Sequence, residues 1–173
     1  MFKIKKKPKA PWKKYYTKEE LKLTVPARSI YQNLEESINR NPNYVALEYM
    51  GKNITYKQFY QLIDKCARSF LQLGITEGDV VTICLPNVPE ALISFYALNK
   101  IGAIANMIHP LSSEEEIKHY LKETNSVAFV MIDICYEKVR NIIDDTNVKK
   151  TIVVSAKNSM PFLLGFGYLV TQG

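Results

Sequence analysis

The chain has 173 residues, 47% hydrophobic and 23% charged, a composition that excludes a disordered or low-complexity polypeptide. A domain of this length buries about 70% of its unfolded surface. The net charge of +6 sits in residues 1–20, where eight lysines face Glu19 and Glu20; residues 21–173 carry 15 basic and 15 acidic side chains, which excludes a nucleic-acid-binding face on the body.

Residues 1–27 read as a basic aromatic tail, with Phe2, Trp12, Tyr15 and Tyr16 among the lysines of Met1–Tyr16. Three readings stand: a solvated terminus, a peripheral membrane contact in which each lysine near anionic lipid contributes about 1 kcal/mol, and a nucleic-acid contact resting on the same counterion logic. The tail lacks the apolar core and cleavage site of a signal peptide. No membrane span is expected, since the most apolar stretch, Ala91–Ile108, is broken by Asn99, Lys100 and Asn106.

Helical periodicity starts near Ser29, with Ile30, Leu34 and Ile38 on one face, and Asn41-Pro42 stops it. Tyr44–Tyr49 and a turn at Met50-Gly51-Lys52-Asn53 suggest a short hairpin. Thr55 and Gln58 have the form of a capping box, ahead of the apolar stripe Phe59, Leu62, Ile63, Cys66, Ala67, Phe70 and Leu71. Gly74 suits a left-handed helix end with Ile75 packing behind it. Val80–Leu85 is a β-branched strand.

Asn87 and Glu90 read as a second capping pair with Pro89 in the first turn. Ala91, Leu92, Phe95, Tyr96 and Leu98 line that helix, and Gly102 closes it. Ala103–Ile108 is a strand, and Ser113 with Glu116 caps a helix carrying Ile117, Tyr120 and Leu121 inward. Val127–Ile132 is a strand, Tyr136–Ile143 a helix and Thr151–Ser155 a strand. This alternation predicts an α/β fold with a mostly parallel sheet covered on both faces. Residues 156–173 are apolar without a clear period and read as the start of an unfinished segment.

Candidate chemistry is sparse. No phosphate loop, H-E-x-x-H, G-x-S-x-G or C-x-x-C pattern occurs, and Gly165-Phe166-Gly167 is a bare G-x-G. His109 before Pro110, and Pro86-Asn87, fall at strand exits where open α/β sheets form crevices. The simpler roles are an extended residue before proline for His109 and a helix cap for Asn87. His119 reads as a surface residue, Glu114–Glu116 as first-turn acids favoured by the helix dipole, and Asp144-Asp145 as a solvated helix end. Cys66, Cys84 and Cys135 are odd in number and widely spaced in apolar surroundings. They read as buried thiols of a reducing compartment, the cytoplasm.

The order Ile54-Thr55-Tyr56, Gly74 to Gly78-Asp79, Leu85-Pro86-Asn87 and Lys100-Ile101-Gly102-Ala103 resembles the start of AMP-forming acyl-CoA synthetases, the adenylate-forming ligases, of long-chain fatty acid–CoA ligase type. Pro11-Trp12 with Tyr15 looks like the opening of long-chain members, while His109-Pro110 stands where the family has Asn-Pro. The resemblance implies that residues 28–155 are the N-terminal segment of an AMP-binding domain, an incomplete N-terminal portion of such an enzyme. It also implies ATP, Mg2+ and coenzyme A as cofactors of the complete enzyme, with a carboxylic acid as substrate and the remainder of the ligase chain as partner.

The family's nucleotide-handling motifs are absent from these residues. No catalytic, cofactor-binding or metal-binding residue is therefore assigned, and the segment is expected to be inactive scaffold binding no cofactor itself. The alternative is a free-standing small α/β binding or interaction protein docking through its basic tail.

Overall fold

Reciprocal side-chain caps set where three of the helices begin, in a computed structural model that describes residues 10–155 and 157. The elements run α1 (Ile30–Arg40), β1 (Val45–Tyr49), β2 (Lys52–Thr55), α2 (Tyr56–Gln72), β3 (Val80–Cys84), α3 (Pro89–Lys100), β4 (Ile104–Met107), α4 (Glu114–Glu123), β5 (Ala128–Ile132), α5 (Tyr136–Ile143) and β6 (Lys150–Val154). Ser29–Gln32, Thr55–Gln58 and Ser113–Glu116 each form a complete capping box. In each, the first side chain accepts from the third helical N–H while its partner satisfies the cap's own N–H.

Left-handed residues close the same kind of helix. Gly74 stands at φ 83° after α2, with Ile75 N–H donating to Phe70 O at 3.0 Å and Gly74 N–H to Leu71 O at 3.0 Å. Gly102 ends α3 at φ 78° in the same pattern, with Ala103 N–H donating to Leu98 O. A side chain at 102 would bring its Cβ to 2.9 Å from Glu77 Cγ. Asn125 does the job after α4 at φ 52°, as the commonest non-glycine choice.

The expected start of α3 is corrected by the structure. Its N-cap is Val88, which makes no side-chain cap, and Asn87 lies outside the helix with its side chain exposed. Proline at position 89 is the reason. A cap at Asn87 would require Val88 to be helical, and the residue before proline is pushed to extended backbone; Val88 stands at φ −117°, ψ 156°.

Four strands make one parallel sheet in the order β4-β3-β5-β6, and β1 and β2 pair antiparallel as a separate hairpin. The chain starts the sheet at β3, crosses through α3 to β4, then returns past β3 through α4 to β5. Val81, Ile83, Ala128, Val130 and Ile132 face the layer of α1, α2 and α3. Cys84, Phe129 and Met131 face α4 and α5 through Ile117, Leu121, Val139 and Ile142. The sheet is thus covered on both faces, as the alternation of elements implies. Every residue of β5 is buried, whereas the outer strands β4 and β6 are half open.

Periodicity misjudged the edges of several apolar stripes. On α1 the inward residues are Tyr31, Leu34 and Ile38, while Ile30 is exposed because the Ser29 cap turns the first helical position outward. On α2 the buried line is Phe59, Ile63, Ala67 and Phe70; Leu62 and Leu71 flank it on opposite sides and are exposed, as is Leu92 on α3.

Where α1, α2 and α3 meet, Lys100 Nζ lies 2.8 Å from Asp64 Oδ1 and over the rings of Tyr31 and Tyr60, at 5.1 and 4.9 Å from their centroids. Arg68 pairs with the other Asp64 oxygen. Asn99 Oδ1 accepts the Tyr31 N–H at 2.8 Å and so caps α1 from another helix. Lys100, through its hydrogen bond, holds the Asp64 carboxyl below its ordinary range. Burial works against the Lys100 ammonium, yet Asp64 and Tyr31 more than offset it and raise its pKa. A depressed carboxyl stabilises the fold above its unfolded value near pH 4, and that contribution fades as pH falls through the folded value.

The Tyr31 hydroxyl is buried without a hydrogen bond of good geometry; burial pushes its pKa up, opposed in part by the neighbouring Lys100 ammonium. Removing such a group relieves a desolvation cost, so Tyr31→Phe is expected to be neutral or to stabilise by up to about 1 kcal/mol. Thermal melting checks this; a lowered midpoint would reveal a partner for the hydroxyl.

Candidate functional site

The carboxyl ends of β3, β4 and β5 open onto one crevice of about 610 Å³, beside the point where the chain reverses its direction of winding. Ligands of open α/β sheets sit at such a switch. Its walls are Leu85 and Pro86 after β3, Ile108 to Leu111 after β4, and Ile132 at the end of β5 with Ile134 and Cys135 beyond it. A smaller apolar hollow of about 220 Å³ adjoins it, sharing Leu85, Pro86, Asn87 and Met107 and closed by Leu47 and Tyr49 of the hairpin.

Both strand-exit residues singled out in the sequence line this crevice. Asn87 is exposed at its rim. His109 is exposed too, and its Nδ1 accepts the Leu111 N–H at 3.1 Å, so the imidazole braces the turn through Pro110. No carboxylate stands among the lining residues. The arrangement therefore offers apolar walls, one amide and one imidazole. It can seat an apolar portion of a ligand and lacks a paired acid and base.

The remaining candidates fall elsewhere. His119 is exposed and pairs with Glu123 at 3.3 Å. Glu116 belongs to the α4 cap, its carboxyl lowered first by the Ser113 backbone N–H. Asp145 pairs with Lys118, which lowers the Asp145 carboxyl. Among the described residues no three His, Cys, Asp or Glu side chains come together as a cation shell, and no helix is long and apolar enough to cross a membrane. Gly165-Phe166-Gly167 and the rest of residues 158–173 lie outside the described residues, as do residues 1–9.

All three cysteines are free. Burial pushes the Cys66 thiol up to about 11 and Cys84 up to about 12, and it raises Cys135 as well. Such groups are thiols at neutral pH and poor nucleophiles. An acid whose folded pKa is raised stabilises the fold fully below its unfolded value, and the contribution drains away as pH rises toward the folded value. Denaturation midpoints are accordingly expected to fall between about pH 9 and 11, and an aromatic disulfide reagent at neutral pH should titrate Cys84 and Cys135 only after unfolding. Rapid modification of both in the native state would contradict this.

A group that sequence reading missed lies on the α4 side of the sheet, toward the amino end of β5. Asn106 Nδ2 donates to Thr82 Oγ1 at 3.0 Å, Thr82 and Ser126 hydroxyls meet at 2.6 Å, and Ser126 and Thr124 at 2.7 Å. Thr82 and Ser126 are fully buried. A threonine inside the run Val80–Cys84 was the available signal, since a hydroxyl in a doubly buried strand needs a partner.

A family model described as "AMP-binding enzyme" matches residues 34–164. A long-chain-fatty-acid–CoA ligase of Bacillus subtilis is 28% identical over 164 residues, covering 94% of this chain and 29% of that protein. An acetyl-coenzyme A synthetase of Escherichia coli is 30% identical over 131 residues, 72% of this chain and 20% of that protein. Among solved structures, a long-chain-fatty-acid-CoA ligase from Archaeoglobus fulgidus superposes with a TM-score of 0.70 at 19% identity, covering 76% of this chain and 28% of that one. The N-terminal domain of FACL13 from Mycobacterium tuberculosis gives 0.65 at 24% identity, covering 73% of this chain and 33% of that one. The chain thus spans about a third or less of the length of these relatives.

Proposed function

Because the chain belongs to the AMP-binding enzyme family, we propose that it supplies the N-terminal scaffold of an AMP-forming acyl-CoA ligase. The reaction of the complete enzyme would join a carboxylic acid, in this reading a fatty acid, to coenzyme A at the cost of ATP, releasing AMP and pyrophosphate. The observation that carries this reading is the similarity over 94% of the chain to a long-chain-fatty-acid–CoA ligase.

The part played by these residues is mechanical. They build the parallel sheet and pack α1, α2 and α3 against one of its faces, leaving the apolar strand exits open at the switch point. Adenylyl transfer needs cationic groups aimed at developing phosphate charge. The described residues do not fit that demand: the crevice contains no lysine or arginine, and no cation shell forms. No step through Mg2+ or ATP is assigned to them.

An acid-dependent exchange of pyrophosphate into ATP tests the scaffold role. The 173-residue chain is expected to give none above background with fatty acids. Robust exchange would overturn it. Reading the gene past codon 173 tests the wider assignment, which expects an open frame leading into a Ser/Thr/Gly-rich loop that ends in lysine.

A further inference from the structure

The residues leading into α1 expose a run of large apolar side chains, none of which is buried against the described residues. Pro11–Tyr15 and Glu20–Lys22 form two 3-10 turns with no buried residue in either. Trp12 is 59% exposed, Tyr15 76%, Leu23 79% and Val25 93%, and Tyr16 and Leu21 are exposed as well. Lys13, Lys14, Lys18 and Lys22 are interleaved with them, and five more lysines precede Ala10 in the sequence. Of the two acids here, Glu20 is tied to Thr17 through its N–H and hydroxyl, so it serves the turn.

We propose that residues 10–25 dock the protein on the surface of an anionic lipid bilayer. Lysines alone would suit any polyanion, but the apolar residues decide between partners. Trp and Tyr rings favour the headgroup level of a membrane, and Leu21, Leu23 and Val25 are suited to the boundary of the acyl chains. Aliphatic side chains contribute nothing to stacking on bases, which is how single-stranded nucleic acid is held. The neutral body, with 15 basic and 15 acidic residues after Glu20, also offers a long polyanion no continuing track. Vesicle binding and exchange activity are measured separately, so a failure of this inference is distinguishable from a failure of the ligase reading.

Trp12 is the single tryptophan of the chain, so its fluorescence reports directly from the docking segment. The full chain is mixed with phosphatidylcholine vesicles containing about a third phosphatidylserine, with pure phosphatidylcholine vesicles, and with polyuridylate. The expected result is binding to the anionic vesicles, weakened by salt, with a blue shift of Trp12 emission. Each lysine near the surface is worth about a fivefold change in partitioning, so Lys13→Gln/Lys14→Gln should weaken it about 20-fold. Trp12→Ala should weaken it too, while the circular dichroism of both variants stays that of the parent.

Absence of binding to anionic vesicles, an unshifted Trp12 emission on them, equal binding to neutral vesicles, or tighter binding to polyuridylate would each overturn the proposal.

Discussion

Phe129→Ala is expected to cost about 4 kcal/mol of folding stability, a large part of the margin of a small domain. Phe129 is fully buried in β5, one of the two strands flanked on both sides by others. Its ring fills the layer between the sheet and α4 and α5, against Ile117, Leu121, Val139 and Ile142. All of these come from elements joined to the sheet by single crossovers, so backbone shifts that would collapse the cavity must move two helices together. Phe129→Leu keeps most of the volume and should cost about 1–1.5 kcal/mol. Urea denaturation of both variants measures the difference. A loss for alanine no larger than that for leucine would mean that the α4–α5 layer does not close over the ring.

Thr82→Val is expected to cost about 2 kcal/mol although it preserves shape. The hydroxyl network has a direction that the geometry fixes. Thr124 donates to the Tyr120 carbonyl at 2.8 Å, so Ser126 must donate to Thr124, and Thr82 in turn to Ser126. Asn106 donates into Thr82 at the far end. Each hydroxyl therefore gives one hydrogen bond and receives one, and Thr124, at the end of the relay, spends its proton on the helix carbonyl. Valine at 82 strips the fully buried Ser126 of its donor and the half-buried Asn106 of its acceptor. Because the two hydroxyls act as a unit, Thr82→Val/Ser126→Ala should lose less than the sum of its single losses, by about 1 kcal/mol. Strict additivity in a double-mutant cycle would sink this account.

How much of this was legible beforehand follows the range of each interaction. The Thr55–Gln58 and Ser113–Glu116 boxes and the Gly74 and Gly102 helix ends were readable because their partners lie three to five residues apart. The α/β alternation was readable because a strand buried on both faces must be apolar throughout, as β5 is. Asn87 was misassigned because proline's effect on its predecessor outweighs the capping preference of asparagine. Asn99 capping α1 from 68 residues away, Lys100 reaching Asp64 on α2, and Thr82 meeting Ser126 had no local signature; each exists only once helices and strands are packed. A crevice lies at the strand exits, where the rule for open α/β sheets puts one, but what it could hold depends on lining chemistry that a pattern of apolar residues does not specify.

The order β4-β3-β5-β6 has a consequence for biosynthesis. The first strand of the sheet receives its neighbours on opposite sides at different times: β4 ends 23 residues after β3, β5 not until Ile132. On a ribosome, one flank of β3 therefore stays without its hydrogen-bonding mate until the polypeptide beyond Val127 emerges and Val127 N–H reaches the Val80 carbonyl at 2.9 Å. The nascent chain must keep Val81 and Ile83 shielded through that interval, and the helical layer of α2 and α3, complete by Lys100, is the part already translated that can cover them.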